Sequence, residues 1–254
     1  MDADQLYREA KKILNDPQKV TKKDNDDARA MLTKAINSDG DKTLCYGLLS
    51  YTYVREHQNG WVSDRDGALG RAESFAKSEQ DKAKIDVQNA FDGFWSLAIV
   101  YSNQGKFPEC FDQYRKALGL KPDEPDLLAE MGEPLMYAGR FDDAIKQINR
   151  AIQLKDDKPP YWYRWNLARV HYMKKQYQDA LDAIALIKNP PADVFLITAA
   201  SKAKLGDIDG AKADMNVFTA ADPDWSIAKS ADYRYANDSD RQHWLDGLRL
   251  AGLK

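Results

Sequence analysis

Apolar residues recur along the chain at helical spacing, in pairs of stripes that are separated by short polar turns. The clearest first stripe has the i, i+3, i+4, i+7 spacing of one buried helical face: Phe94, Leu97, Ala98 and Tyr101. Gly105 follows, and glycine readily adopts the left-handed conformation that ends helices. A second apolar stripe begins at Phe107. The pattern therefore predicts a helix, a tight turn and a second helix that packs back on the first.

This hairpin pattern repeats with a fixed period. Gly105 and Gly139 lie 34 residues apart, and their neighbours recur at the same offset. One set, Tyr101, Gly105, Phe107, Cys110, Tyr114, Ala117 and Pro122, is in register with Leu135, Gly139, Phe141, Ala144, Ile148, Ala151 and Asp156. A period of this size predicts stacked helical hairpins.

The same pattern extends in both directions with small irregularities. Gly206 lies 67 residues after Gly139, one short of two periods, and the upstream pattern is looser. We expect an all-α solenoid, 1–225, of about six helix-turn-helix repeats: about 3–41, 43–80, 91–124, 125–158, 159–191 and 192–225. Residues 226–254 leave the repeat register, and we expect them to form a C-terminal cap with a closing helix, since a solenoid needs an atypical terminal element.

Charge and apolar content limit the classes of partner. The net charge is only -3, so the chain has no global field to hold nucleic acid or an anionic membrane. Its longest apolar runs are far shorter than the roughly 20 residues of a membrane span, and its start lacks a secretory signal. We expect a cytoplasmic protein, or a periplasmic one if the chain is a fragment of a longer protein.

Cys45 and Cys110 form no metal or redox motif, and we interpret Cys110 as a packed core thiol.

Repeats three to six resemble the tetratricopeptide repeat (TPR), position by position. Repeat three supplies the family's preferred residue types in register: Phe94, Leu97, Ala98, Tyr101, Gly105, Phe107, Cys110, Ala117 and Pro122. Departures include Lys175 at the turn position that glycine holds elsewhere. The resemblance implies a right-handed superhelical solenoid. The loop at Gly60 and Trp61 and the end of the chain from Asp246 also look like TPR regions of bacterial class III adenylate cyclases and winged-helix regulators.

In TPR proteins the first helix of each hairpin lines a concave groove that holds the ligand. On the matching positions of this chain, the resemblance implies a partner-binding set: Trp95, Asn103, Glu133, Tyr137, Trp162, Trp165, Arg169 and Tyr172. Trp162, Trp165, Arg169 and Tyr172 follow helical spacing, so we expect them to share one face. Aromatic residues and arginine dominate interface energetics. The alternative for each aromatic residue is that it packs between neighbouring hairpins.

We therefore expect a non-enzymatic protein-interaction scaffold that binds a peptide or protein segment in an aromatic concave groove. The alternative is a sensory or regulatory domain that binds a small ligand there or mediates self-association as a homo-oligomer. The slots of a lysine and asparagine clamp for a terminal carboxylate hold other residues, so that mode of binding is not expected.

Catalytic, metal and cofactor motifs are missing from the sequence. His57, His171 and His243 belong to no catalytic or zinc signature, and neither a phosphate-binding glycine loop nor a nucleophile elbow occurs. We interpret His171 as a packing residue. Calcium-loop spacing is not met, and the aspartate pairs suit helix starts and turns. The sequence thus predicts no catalytic residue, no metal and no cofactor.

Overall fold

The computed structural model describes residues 1–15, 20–82, 87–156 and 158–254, which contain helices and no β-strand. The helices are α1 (Ala3–Leu14), α2 (Lys22–Ser38), α3 (Thr43–Asn59), α4 (Arg65–Lys82), α5 (Val87–Asn103), α6 (Phe107–Leu120), α7 (Pro125–Glu130), α8 (Gly132–Tyr137), α9 (Phe141–Leu154), α10 (Tyr161–Met173), α11 (Tyr177–Ala185), α12 (Val194–Leu205), α13 (Ile208–Ala221), α14 (Ile227–Ala231) and α15 (Asp238–Leu250). The all-α class is confirmed, and helices that follow one another along the chain pack together in pairs.

The chain forms two compact units, Met1–Pro122 and Asp123–Lys254. In the N-terminal unit α1 packs with α2, α3 with α4, and α5 with α6. In the C-terminal unit α9 packs on α7 and α8, α10 on α11, and α12 on α13. The helix pairs have the order that the apolar stripes predict. The exact repeat boundaries remain a prediction.

The hairpin turns share one backbone conformation, which explains the period. Gly105, Gly139 and Gly206 have φ values of 73°, 74° and 90°, in the left-handed region. In each case the N–H of the next residue donates to a carbonyl near the end of the first helix, as Arg140 does to Leu135 at 2.8 Å. Lys175 takes the same position in repeat five with a φ of 64°. The turn of repeat five therefore has the same backbone conformation as the others, although it contains no glycine.

The first helix of repeat four is interrupted, which its apolar stripe did not predict. The chain leaves regular helix at Met131, between α7 and α8, while its backbone stays close to helical with φ -58° and ψ -20°. Pro134 lies three residues beyond and has no N–H to donate one turn back. The proline thus separates α7 from α8 without ending the hairpin.

Both cysteines are buried in the N-terminal unit, where no disulfide joins them. Cys110 is 0% exposed on α6, as the small-residue position of the repeat predicts. Cys45 lies on α3, and burial raises the pKa of its thiol to about 11. Both side chains serve as core packing residues.

Candidate functional site

The first helices of repeats four, five and six form a common face in the C-terminal unit. Helix α10 contacts α8 on one side and α12 on the other. Side chains from these helices surround a cavity of about 80 Å³, which we call the aromatic cavity. It is lined by Glu133, Met136, Tyr137, Trp165, Arg169, Tyr172, Met173, Asp193, Leu196, Ile197, Tyr233, Tyr235 and Trp244.

Arg169 joins α10 to α8 at one side of the cavity. Its Nη2 donates to Tyr137 Oη at 2.7 Å and to Glu133 Oε1 at 3.2 Å. Its Nη1 donates to Asn166 Oδ1 at 3.4 Å. The side chain of Arg169 is only 14% exposed, so these partners compensate for the water it loses. The guanidinium group is therefore held in one orientation.

Aromatic rings flank this guanidinium group. Arg169 Cζ lies 4.7 Å from the ring centre of Trp165 and 5.7 Å from that of Tyr137, within the range of cation–π attraction. Burial raises the pKa of Tyr137 well above its ordinary value, although the charge of Arg169 opposes the shift. Tyr137 therefore stays a neutral phenol that accepts a hydrogen bond from the cation.

A non-helical stretch of the chain's own C-terminal region covers the cavity and turns at Arg234, where the N–H of Tyr235 donates to the carbonyl of Tyr233 at 3.1 Å. We call residues 232–237 the tyrosine segment; it connects α14 to α15. Tyr233 stacks on Tyr137 with ring centres 5.7 Å apart, and Tyr235 packs edge-on against the same ring at 4.8 Å. The N–H of Ala236 donates to the carbonyl of Tyr137 at 2.8 Å. Tyr137 is thus contacted through both its ring and its backbone.

The closing helix α15 lies on α12 and also contacts α10. It covers apolar surface, as a closing helix should, and that surface belongs to the first helices of repeats five and six. Tyr172 Oη donates to the carbonyl of His243 at 3.2 Å, and the ring of Trp244 packs edge-on against Tyr172 at 5.3 Å. Gly247 lies over the same hydroxyl group: a Cβ there would be 1.8 Å from Tyr172 Oη. Glycine at this position permits the close approach of α15.

The helix α15 is buried more deeply than the tyrosine segment. Trp244, Leu245, Leu248 and Leu253 are all at most 9% exposed, and their burial contributes roughly 6–12 kcal/mol together. This is comparable to the whole stability of a domain, about 5–15 kcal/mol. Of the six residues of the tyrosine segment, only Tyr235 is partly buried, and the other five are exposed. The segment is therefore the less buried part of the cover over the cavity.

Five of the predicted partner-binding residues meet at the aromatic cavity. They are Glu133, Tyr137, Trp165, Arg169 and Tyr172. The cavity lies between helices and the tyrosine segment covers it, whereas the sequence predicted a groove. Tyr172 is 0% exposed and packs under α15, so it matches the alternative in which an aromatic residue packs structurally.

Three predicted residues lie elsewhere. Trp162 is half-buried and packs edge-on against Tyr163 at 4.5 Å, away from the cavity lining. Trp95 and Asn103 belong to α5 in the N-terminal unit. Trp95 packs against Phe91, and Asn103 accepts a hydrogen bond from Gln58 at 3.1 Å. Helical spacing alone therefore did not place Trp162 with Trp165 and Arg169.

Sequence reasoning missed the C-terminal contribution to the site. Tyr233, Tyr235 and Trp244 line the cavity but lie outside the repeats, where the family pattern names no ligand positions. The available signal was the Tyr-x-Tyr spacing in a short polar stretch. Nothing in the sequence linked these two rings to Tyr137.

The histidines have packing partners. His171 Nδ1 lies 3.0 Å from Gln176 Oε1, and His57 Nδ1 lies 3.2 Å from the carbonyl of Arg65. His243 Nε2 is 3.3 Å from the carbonyl of Tyr172, and burial lowers its pKa. Among the described residues, no group of three or more His, Cys, Asp or Glu side chains could hold a metal ion. No helix within the described ranges is long and apolar enough to cross a membrane.

Comparisons with known proteins bear mainly on the fold. No family model matches the chain. An 88-residue stretch, 33% of the chain, is 30% identical to the human protein O-mannosyl-transferase TMTC1 and covers 10% of that protein. The match therefore spans a small part of the curated relative.

Solved structures support a helical-repeat fold. The chain resembles one in the APC/C hetero-tetramer Cut9-Hcn1 with a TM-score of 0.66 and 16% identity, over 98% of this chain and 46% of that one. The chain thus spans about half the length of that relative. Two TPR proteins each give a TM-score of 0.47. One is YrrB, described as having an unusual peptide-binding site, with 19% identity over 76% of this chain and 93% of its own. The other is from Parabacteroides merdae, with 15% identity over 98% of both chains.

Proposed function

We propose that this chain, which has a TPR-type all-α fold, is a non-enzymatic protein-interaction module. Its partner is a peptide or protein segment that binds on the face formed by α8, α10 and α12. One observation carries the proposal: this face already holds a non-helical peptide segment, residues 232–237, by ring contacts and a backbone hydrogen bond. A surface that binds such a segment of its own chain has the chemistry to bind another.

The residues of this face suit peptide binding. Tryptophan, tyrosine and arginine supply most of the energy in protein interfaces. Arg169 is fixed by Glu133 and Tyr137, so little side-chain freedom remains to be lost when a ligand arrives. Trp165 is half-buried and lies against Arg169, which leaves part of its ring available to a ligand.

A second candidate is a sensory domain that binds a small molecule in the aromatic cavity. The observation that favours it is the cavity itself, with a volume of about 80 Å³ between helices and the tyrosine segment. Thermal stabilisation by a metabolite, in the absence of any peptide ligand, would favour this second function. Loss of this thermal stabilisation in Trp165→Ala would place the metabolite at the aromatic cavity.

The peptide function can be tested by selecting a displayed library of random 12-residue peptides against the whole chain. The informative pair of variants is Trp165→Ala, at the cavity, and Trp162→Ala, three residues earlier on α10 and outside the cavity. We expect selected peptides to bind Trp165→Ala at least tenfold more weakly than wild type. Their affinity for Trp162→Ala should change less than threefold.

Circular dichroism and thermal melting of both variants provide the folding control. If no peptide is enriched, or if selected peptides bind Trp165→Ala as well as wild type, this face is not the peptide-binding surface. Equal losses in the two variants would also contradict the proposal, because Trp162 is not among the residues that line the cavity.

A further inference from the structure

We infer that the face under the tyrosine segment recognises a Tyr-x-Tyr peptide of a partner, bound with a turn at its middle residue, and that Tyr233 and Tyr235 are an internal stand-in which this peptide displaces. The inference rests on the proposed function and specifies the partner's chemistry. The tyrosine segment, which this face holds, serves as the template for the partner peptide.

The spacing of the two tyrosines defines the first part of the motif. The chain turns at Arg234, where the N–H of Tyr235 donates to the carbonyl of Tyr233 at 3.1 Å, and Tyr233 and Tyr235 both reach Tyr137. Their rings meet it differently, at interplanar angles of 17° and 88°. A stacked ring and an edge-on ring are the two favourable aromatic arrangements. A peptide with one aromatic residue could reproduce only one of them.

A backbone hydrogen bond fixes the register. Tyr137 is the last residue of α8, and the carbonyls of a last helical turn have no partner within the helix. The N–H of Ala236 donates to this carbonyl at 2.8 Å. Any residue except proline can supply that donor. The motif therefore reads Tyr-x-Tyr followed by a residue other than proline.

The middle position lies at the turn of the segment. Arg234 is exposed there, between the two tyrosines. Tyr235 is partly buried, and Tyr233, although 36% exposed, stacks on the ring of Tyr137. Selectivity should thus come from the tyrosine pair.

The stand-in can leave without unfolding the unit. Residues 232, 233, 234, 236 and 237 are exposed, whereas α15 is anchored by buried residues from Trp244 onward. A tethered segment has an effective concentration of order millimolar, which a free peptide must exceed. Intact protein should therefore bind a Tyr-x-Tyr peptide much more weakly than protein whose segment has lost its rings.

The test uses a fluorescein-labelled peptide with the sequence of residues 230–239 and the full-length protein. By fluorescence anisotropy, we expect the variant Tyr233→Ala/Tyr235→Ala to bind this peptide at least tenfold more tightly than wild type. Arg234→Ala, in the same segment, is the matched control and should behave like wild type. A peptide with alanine in place of both tyrosines should bind the double variant at least tenfold more weakly.

A second measurement covers the case in which the double variant does not fold. In wild type, millimolar Tyr-x-Tyr peptide should increase hydrogen exchange at the Ala236 amide at least tenfold, because the displaced segment loses its bond to Tyr137. The alanine peptide should leave that exchange unchanged. No change with either peptide would overturn the inference.

Other outcomes separate this inference from the proposed function. Selected library peptides that need Trp165 but lack an aromatic pair would overturn the Tyr-x-Tyr motif and leave the interaction module intact. Equal binding of the test peptide by wild type and the double variant would also overturn it. A wild-type dimer that dissociates in Tyr233→Ala/Tyr235→Ala would identify a second copy as the occupant, against the inference.

Discussion

Lys175 shows that the turn conformation, and not the glycine itself, is the repeated feature of this chain. Its φ of 64° lies in the left-handed region, next to the 73°, 74° and 90° of Gly105, Gly139 and Gly206. An L residue with a side chain pays about 1–2 kcal/mol for this conformation. The sequence marked Lys175 as a departure from the family pattern, and the backbone absorbs it as local strain.

Replacing Lys175 by glycine should therefore stabilise the protein. We expect Lys175→Gly to raise the free energy of unfolding by about 1 kcal/mol, because the turn keeps its shape and loses its strain. The matched change in the opposite direction is Gly206→Ala, where φ is 90° and a Cβ would meet no atom within 4 Å. It should cost about 1 kcal/mol from strain alone. Urea unfolding measures both; a loss of stability in Lys175→Gly would contradict the argument.

The resemblance to the repeat family predicted part of the candidate site. Glu133, Tyr137, Trp165 and Arg169 were placed on one surface because the repeat fixes which side of a first helix faces outward. Trp162 was misplaced with them, since spacing cannot tell a cavity-facing ring from one that packs on its neighbour Tyr163. Whether a side chain is buried between neighbouring helices depends on the helix it packs against as well as on its place in the repeat.

At the scale of helices, α15 shows that the apolar pattern of the sequence predicts a helix but not the surface on which it packs. The sequence predicted a helix here, and its apolar residues Trp244, Leu245 and Leu248 are buried. It did not predict which surface they cover. Docking on α12 and α10 depends on shape, above all on the space that Gly247 leaves for the hydroxyl group of Tyr172. A stripe of apolar residues carries no information about that space.

The close approach at Gly247 gives a direct test. In Gly247→Ala the new Cβ would lie 1.8 Å from Tyr172 Oη, so α15 or the ring must shift. We expect a loss of about 2–3 kcal/mol, of the size that overpacking typically causes. The control is Gly119→Ala on α6, where a Cβ would meet nothing within 4 Å. It should gain up to about 1 kcal/mol from helix propensity.

Thermal unfolding followed by circular dichroism would compare the two alanine variants. A Gly247→Ala protein as stable as Gly119→Ala would mean that α15 does not pack against Tyr172. The helical content of both variants should match wild type at low temperature.

On the scale of the whole chain, the repeat period predicted the class of fold but not its division into two compact units. Periodic signals are local and recur in every hairpin, so they predict helices and their pairing well.

The N-terminal unit also holds an unexpected buried acid. Glu79 is 1% exposed, its Oε2 has no hydrogen-bond partner among the described residues, and burial raises its pKa to about 8.

Glu79 should make the stability of the chain depend on pH. Its ordinary pKa is 4.5, so between about pH 4.5 and 8 the unfolded chain loses a proton that the folded chain keeps. The stability it contributes is complete below pH 4.5 and is lost as the pH rises through 8, by about 3–5 kcal/mol in total. Glu79→Gln cannot lose this proton, so its stability should fall less between pH 5 and 8.5.

Urea unfolding at several pH values measures this difference. The control is Glu109→Gln, an exposed side chain of α6 in the same unit, which should keep the wild-type pH profile. Parallel profiles for wild type and Glu79→Gln would show that Glu79 ionises freely in the folded protein.

Burial of both thiols, Cys45 and Cys110, gives the folded protein a surface without native cysteine. A maleimide dye therefore has no competing target until the N-terminal unit unfolds. One cysteine introduced at Arg234 would carry such a dye at a single known place, directly beside the aromatic rings that quench it when the segment is closed. The motion of residues 232–237 can then be followed one molecule at a time in the otherwise native chain.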